Sequence, residues 1–328
     1  QLCQRADTLI SQVDGSIPEQ IQESYQEGVE TLQSEDYYSA ASFCFGSNVD
    51  LREQLLDNIS EAQRDVIRQS TLTQAERFLA EIKTENIDTL SDLEASIIVK
   101  ERLYEIINSY ESQASTGYLV ERLESARAWS SFFQYDSPDI NLNEAYLQNA
   151  CLQKVSEAEE RVSYVEFLLP SLTQFREELN LARSAYRDED YTYCLFKASK
   201  AKADANAVIS SSQIPQEKEQ EYITNKLELA QRQIAEQQGF FPILGYSYYN
   251  YASTLNDRPG LAITFSEYAS EFSALDMYFE TADRGAVPIT GKPADTETLF
   301  VEGLLLGICL ALFVTLLTVL VKKKKTQG

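Results

Sequence analysis

Apolar residues recur three and four positions apart along most of the chain between Gln1 and Glu280, separated by Glu, Gln, Arg and Ser. Ala95, Ile98, Val99, Leu103, Ile106 and Ile107 form one such stripe, and Ile223, Leu227, Ala230 and Ile234 another. Leu55, Ile59, Ala62, Val66 and Ile67 keep the same spacing, which predicts one long helix over roughly Tyr37 to Glu85. This period gathers the apolar side chains on one face of an α-helix. No run alternates with period two for long enough to predict a strand. Interruptions fall near Gly15–Pro18, Gln33–Asp36, Glu85–Thr89, Ala114–Thr116, Ser137–Asn141, Pro170, Arg187–Asp190, Gln213–Pro215, Phe240–Pro242 and Asn256–Gly260. Several carry helix-start chemistry: Ser34–Glu35–Asp36, Ser91–Asp92 and Asp188–Asp190. Short breaks between amphipathic helices predict an all-α fold of antiparallel helical hairpins.

The pattern changes after Glu280. The interval Thr281–Thr298 holds two prolines and two glycines without a helical period, and reads as a stalk. From Gly303 to Val321 no residue is charged, and at 1.5 Å per residue that run is roughly 28 Å long, about one hydrocarbon core. Lys322, Lys323, Lys324 and Lys325 follow at once. A basic stop predicts a single-pass C-terminal transmembrane helix in the cell membrane, with a cytoplasmic tail and an N-terminal ectodomain outside. Membrane lipid is then one partner. A tail of this length excludes a receptor with its own output domain. The chain starts at Gln1 rather than Met, from which processing of a precursor is expected.

The two halves of the ectodomain look alike. Cys3 precedes Cys44, and Cys151 precedes Cys194, by nearly equal intervals. Each interval holds a proline (Pro18, Pro170) and an acidic-aromatic turn, SEDYYSAASFCF (Ser34–Phe45) or DEDYTYCLFKAS (Asp188–Ser199). Further on, YESQAST (Tyr110–Thr116) resembles YNYAST (Tyr249–Thr254), and LESARAWSSF (Leu123–Phe132) resembles SEYASEFSAL (Ser266–Leu275). Two tandem repeats of about 140 residues are expected. The boundaries are then 1–148, 149–280, a stalk at 281–298, a membrane helix at 299–321 and a tail at 322–328. Of the five cysteines, Cys309 lies in the apolar run. The four exterior ones allow three pairings, and the duplication selects Cys3–Cys44 and Cys151–Cys194. Each bridge closes a loop of about 40 residues, worth on the order of 3–4 kcal/mol by chain entropy.

Composition narrows the chemistry. The 328 residues contain 28 Lys+Arg against 51 Asp+Glu, a net charge of −23, which opposes nucleic-acid binding. There is no histidine. That count removes Ser-His-Asp and Cys-His nucleophiles, HExxH zinc sites and His-ligated haem. No GxGxxG, Walker A or GxSxG motif occurs, no cofactor is implied, and dispersed cysteines without CxxC argue against a metal. The acid groups Glu157, Glu159, Glu160 and Asp188, Glu189, Asp190 read as solvated helix faces, and Ser199–Lys200 as surface residues rather than a dyad. Tyr246, Tyr248, Tyr249 and Tyr251 form either a recognition surface or a packed core with hydroxyls at its rim. Asn58-Ile59-Ser60 is an acceptor sequon for N-glycosylation in an exported chain.

Three strings, EDYYSAASFCFGSNV (Glu35–Val49), DYTYCLFKASKAKADANAVI (Asp190–Ile209) and PILGYSYYNYA (Pro242–Ala252), resemble the helical C-terminal region of archaeal, membrane-anchored, Lon-like (S16-type) serine proteases. In that family an N-terminal Lon-type domain carries a Ser-Lys dyad. No segment here matches that domain, so no catalytic residue carries over. The resemblance implies an archaeal cell surface and a chain that anchors, or partners, such a protease. The function expected is a non-catalytic, membrane-anchored extracellular helical scaffold that binds protein partners, among them a Lon-like protease domain or further copies of itself. The alternatives are a stand-alone surface structural protein that self-assembles, and an enzyme using carboxylates or a Ser-Lys pair within the ectodomain.

Overall fold

The computed structural model describes residues 1–13, 15–84, 87–112, 114–134, 144–170, 174–237, 241–255 and 258–275. Among them are twelve α-helices and no strand. The helices are α1 (Leu2–Ile10), α2 (Glu19–Gln33), α3 (Tyr37–Leu56), α4 (Glu61–Thr84), α5 (Leu90–Glu111) and α6 (Thr116–Ser130), the last running into a 3₁₀ turn at Ser131–Gln134. Then come α7 (Glu144–Leu168), α8 (Gln174–Arg187), α9 (Tyr191–Gln213), α10 (Glu219–Glu236), α11 (Ile243–Thr254) and α12 (Pro259–Phe272). The stalk, the apolar run Gly303–Val321 and Lys322 to Lys325 lie outside the described residues. Among the described residues no helix is long and apolar enough to cross a membrane.

The expected long helix from Tyr37 to Glu85 is two helices. It breaks at Asp57–Ser60 because Ser60 and Gln63 cap each other: the Gln63 N–H donates to Ser60 Oγ (3.4 Å), and the Ser60 N–H donates to Gln63 Oε1 (3.0 Å). The break turns Ala62 and Val66 outward, and Val66 is 69% exposed. The face α4 packs inward is instead Thr71, Ala75, Leu79 and Ile82. A second capping box, Thr89 with Asp92, starts α5 (Asp92 N–H to Thr89 Oγ1, 3.1 Å).

The acidic-aromatic turns join α2 to α3 and α8 to α9 with one geometry. The Asp36 N–H donates to the Thr31 carbonyl (3.1 Å), and the Asp190 N–H to the Ala185 carbonyl (2.9 Å). Between them Glu35 (φ 64°) and Glu189 (φ 61°) take the left-handed conformation that closes a helix C-terminus. Only the aspartates belong to the following helices; Glu35 and Glu189 point to solvent.

Helix α1 packs on α3 and α7 on α9; α6 packs on α3 and α12 on α9. The sulfurs of Cys3 and Cys44 are at disulfide distance, with Cα atoms 5.0 Å apart, and so are those of Cys151 and Cys194, with Cα atoms 5.7 Å apart. Two helices, α5 and α9, form the centre and touch each other through Tyr104 and Tyr193, whose ring centroids are 4.3 Å apart. Both are buried on more than one face, which explains why a single apolar stripe understates them. At Gly245 a Cβ would stand 2.1 Å from Ser273 Oγ, so only glycine lets α11 press against the end of α12.

Candidate functional site

An open cleft of about 860 Å³ lies between α3, α5, α6 and the start of α11. Tyr37, Tyr38 and Phe45 come from α3, Trp129 and Phe132 from the end of α6 and its 3₁₀ turn, and Phe241 and Tyr246 from the α11 side. Trp129 stacks obliquely on Phe132 (5.1 Å) and meets Tyr38 edge-on (6.2 Å). Phe241 packs on Tyr246 at 5.0 Å. Its two charged side chains are Arg102 and Arg122, and no carboxylate lines it. The volume falls within the usual range for a small-molecule pocket.

The arginines are held from behind. Arg122 donates through Nε to Glu105, its Nη2 also pairs with Glu105, and its guanidinium lies 5.5 Å from the centroid of the Phe45 ring. Arg102 pairs through Nη1 with Glu101 (3.0 Å) and Glu105 (4.0 Å). Burial alone would lower the pKa of Arg102, but Glu101 and Glu105 raise it. Burial likewise opposes charge on Glu101; Arg102, Lys200, Lys197 and Arg122 outweigh it and bring the carboxyl down to about 2. The network continues through Lys200 to Glu178 (3.8 Å) and Lys197 (3.0 Å from Glu178).

The wall at α11 is set by a buried acid. Glu94 on α5 accepts the backbone N–H groups of Ile243 (2.8 Å) and Leu244 (3.4 Å), the first two residues of α11. Burial pushes its carboxyl up to about 8, against the pull of those two hydrogen bonds. Elsewhere Lys100 donates to Asp190 (2.7 Å) and Thr192 (2.8 Å), with Tyr104 also on Asp190 (3.1 Å). Asn250 on α11 donates to Asp36 (2.6 Å) and accepts from Ser39 (3.3 Å). Lys154 is fully buried between Glu271 and Glu157.

These positions amend the sequence reading. Asp190 is buried and paired, whereas Glu159, Glu160, Asp188 and Glu189 are exposed and Glu157 is partly covered by Lys154 and Lys202. Ser199 is buried rather than at the surface, and Lys200 reaches Glu101 and Glu178, so the two form no dyad. Tyr248 is not available as an interface: it is buried among Tyr38, Phe265, Tyr268 and Phe272. Tyr251 packs edge-on against Phe265 (4.6 Å). Tyr249 is half-buried beside Tyr246, which alone of the four lines the cleft. Asn58 stands exposed in the turn between α3 and α4. Cys3, Cys44, Cys151 and Cys194 clasp helices, the first pair through α3, which forms part of the cleft wall, and none of the four lines the cleft itself. Among the described residues no group of three acidic or thiol side chains is placed to hold a metal ion.

Sequence reasoning missed Arg102, Arg122, Trp129 and Phe45. The available signal was an arginine on an otherwise apolar stretch of α5, but nothing local tells a core-facing arginine from a surface one. Compared with known proteins, the chain matches no protein-family model, no curated protein and no solved structure.

Proposed function

We propose that this chain is a non-catalytic, membrane-anchored extracellular scaffold that acts by binding, built as two tandem six-helix repeats, α1–α6 and α7–α12; the boundary expected at 148/149 falls inside α7, so the second repeat starts with that helix at Glu144. The observation that carries this reading is reciprocal docking. The acidic turn before α3 is gripped by Asn250 of α11, and the acidic turn before α9 by Lys100 of α5. Each half thus holds the other by the start of its central helix, while a disulfide-spaced cysteine pair ties the first helix of each half to its third. Such an interlocked body suits a scaffold, because a buried or half-buried carboxylate that loses its donor is costly and so ties each turn to its partner helix. In this reading residues 281–298 are the stalk, 299–321 the membrane helix and 322–328 the cytoplasmic tail. The partner proposed is a Lon-like protease domain, and that link rests on the three strings quoted above.

The test is mass spectrometry of the protein purified in mild detergent from its native membrane, covering every co-purifying chain. A Ser-Lys Lon-type domain recovered at fixed stoichiometry is expected. Recovery of this chain alone overturns the protease link. A specific observation favours a second reading, a self-assembling surface protein: Leu152, Tyr164, Phe167 and Leu168 stand exposed along α7, with Phe167 81% exposed. Ordered oligomers of the chain alone would support it.

A further inference from the structure

We infer that the cleft between α3, α5, α6 and α11 binds an amphipathic carboxylate, its acyl or aryl body against the aromatic wall and its carboxylate facing Arg102. The inference does not depend on the anchor or on any protein partner.

Charge is the first argument. The chain carries −23 overall, yet the two charged side chains lining the cleft are both arginines. The glutamates that balance them, Glu101 and Glu105, lie behind the wall. The two arginines also differ. Arg122 spends both Nε and Nη2 on Glu105. Arg102 uses only Nη1 for its ion pairs, and its buried Nε has no hydrogen-bond partner. Nη2 enters none of these pairs, and it is the guanidinium nitrogen left to donate a charge-assisted hydrogen bond to a ligand carboxylate.

Shape is the second argument. Tyr37 (62% exposed), Phe241 (51%) and Tyr246 (37%) stand in solvent around the opening. A bound apolar body would cover them. Tyr38, Phe45 and Trp129 give that body aromatic faces to pack on.

The chain's single tryptophan, Trp129, lines the cleft and reports on it directly. The full chain is titrated with decanoate and, separately, with 1-decanol, subtracting a protein-free blank. A saturable change in tryptophan emission is expected, with decanoate binding about tenfold or more tighter than the alcohol. Arg102→Gln should remove that preference and leave decanol binding in place. Ala128→Leu, which fills the cleft without touching the ion pairs, should weaken both ligands, and it keeps the test open should Arg102→Gln fail to fold. No saturable response, equal affinity for acid and alcohol, or an unchanged response in Ala128→Leu each overturns the proposal.

Discussion

Replacing Glu94 by Gln should remove a pH dependence of stability that the fold builds into its centre. Glu94 is fully buried, makes no ion pair among the described residues, and receives the first two N–H groups of α11. Its carboxyl is pushed from 4.5 up to about 8 by burial. The sign follows from linkage. Below pH 4.5 both folded and unfolded chains keep the proton, and Glu94 makes no difference. As pH rises toward 8 the unfolded chain releases its proton while the folded chain holds it, so stability falls through that window and levels off above it. At about 1.4 kcal/mol per pH unit, the loss reaches roughly 3 kcal/mol by pH 7. Glutamine does not titrate; its Oε1 keeps one of the two N–H groups and its NH2 faces the other, a cost that is the same at every pH and leaves the pH dependence of the difference intact. Urea unfolding of both proteins at pH 5, 6, 7 and 8 measures the difference. The Gln variant should gain on the parent by about 2.5 kcal/mol between pH 5 and pH 7. A gap that stays flat across those pH values would refute the argument, because it would mean that Glu94 is ionised, or solvated, in the folded state.

Other expectations follow from the same geometry. Glu35→Gly and Glu189→Gly each relieve a left-handed non-glycine residue and should stabilise by roughly 0.5–1 kcal/mol in denaturant melts; destabilisation would show that the glutamate side chains contribute. Asp190→Asn strips Lys100 of its buried anion and should cost about 3 kcal/mol, whereas adding Lys100→Met should recover part of it; a strictly additive double variant would deny the pairing. Reduction of the cysteine pairs should lower stability by roughly 3–4 kcal/mol for each, read as the shift of the calorimetric midpoint with and without reductant, and an unmoved midpoint would mean that the thiols are free. Asn58 should carry a glycan in the native protein, seen as a mobility shift on amidase treatment that Asn58→Gln abolishes.

Much of this molecule could be read without coordinates, and the reason is local. Helix period, glycine and proline breaks, and capping residues act within a few positions of each other, so ten of the eleven breaks between the twelve described helices were legible in the sequence. Its one misjudged boundary, at Asp57–Ser60, was also local: Ser60 and Gln63 spell a capping box that the continuing apolar period concealed. The cysteine spacing led to the pairs Cys3–Cys44 and Cys151–Cys194, whose sulfurs stand at disulfide distance. What only the tertiary structure decided is the destination of the charges. Glu94, Lys100, Glu101, Lys154 and Asp190 look like any other surface charges in a strongly charged helix, yet all five are buried. Whether such a residue meets water or a partner depends on a helix far away in sequence, as with Glu94 and Ile243, or Lys100 and Asp190. The cleft has the same origin: Phe45, Arg102, Trp129 and Tyr246 sit on four different helices, and no periodicity within one helix can say that the four leave a gap where they meet.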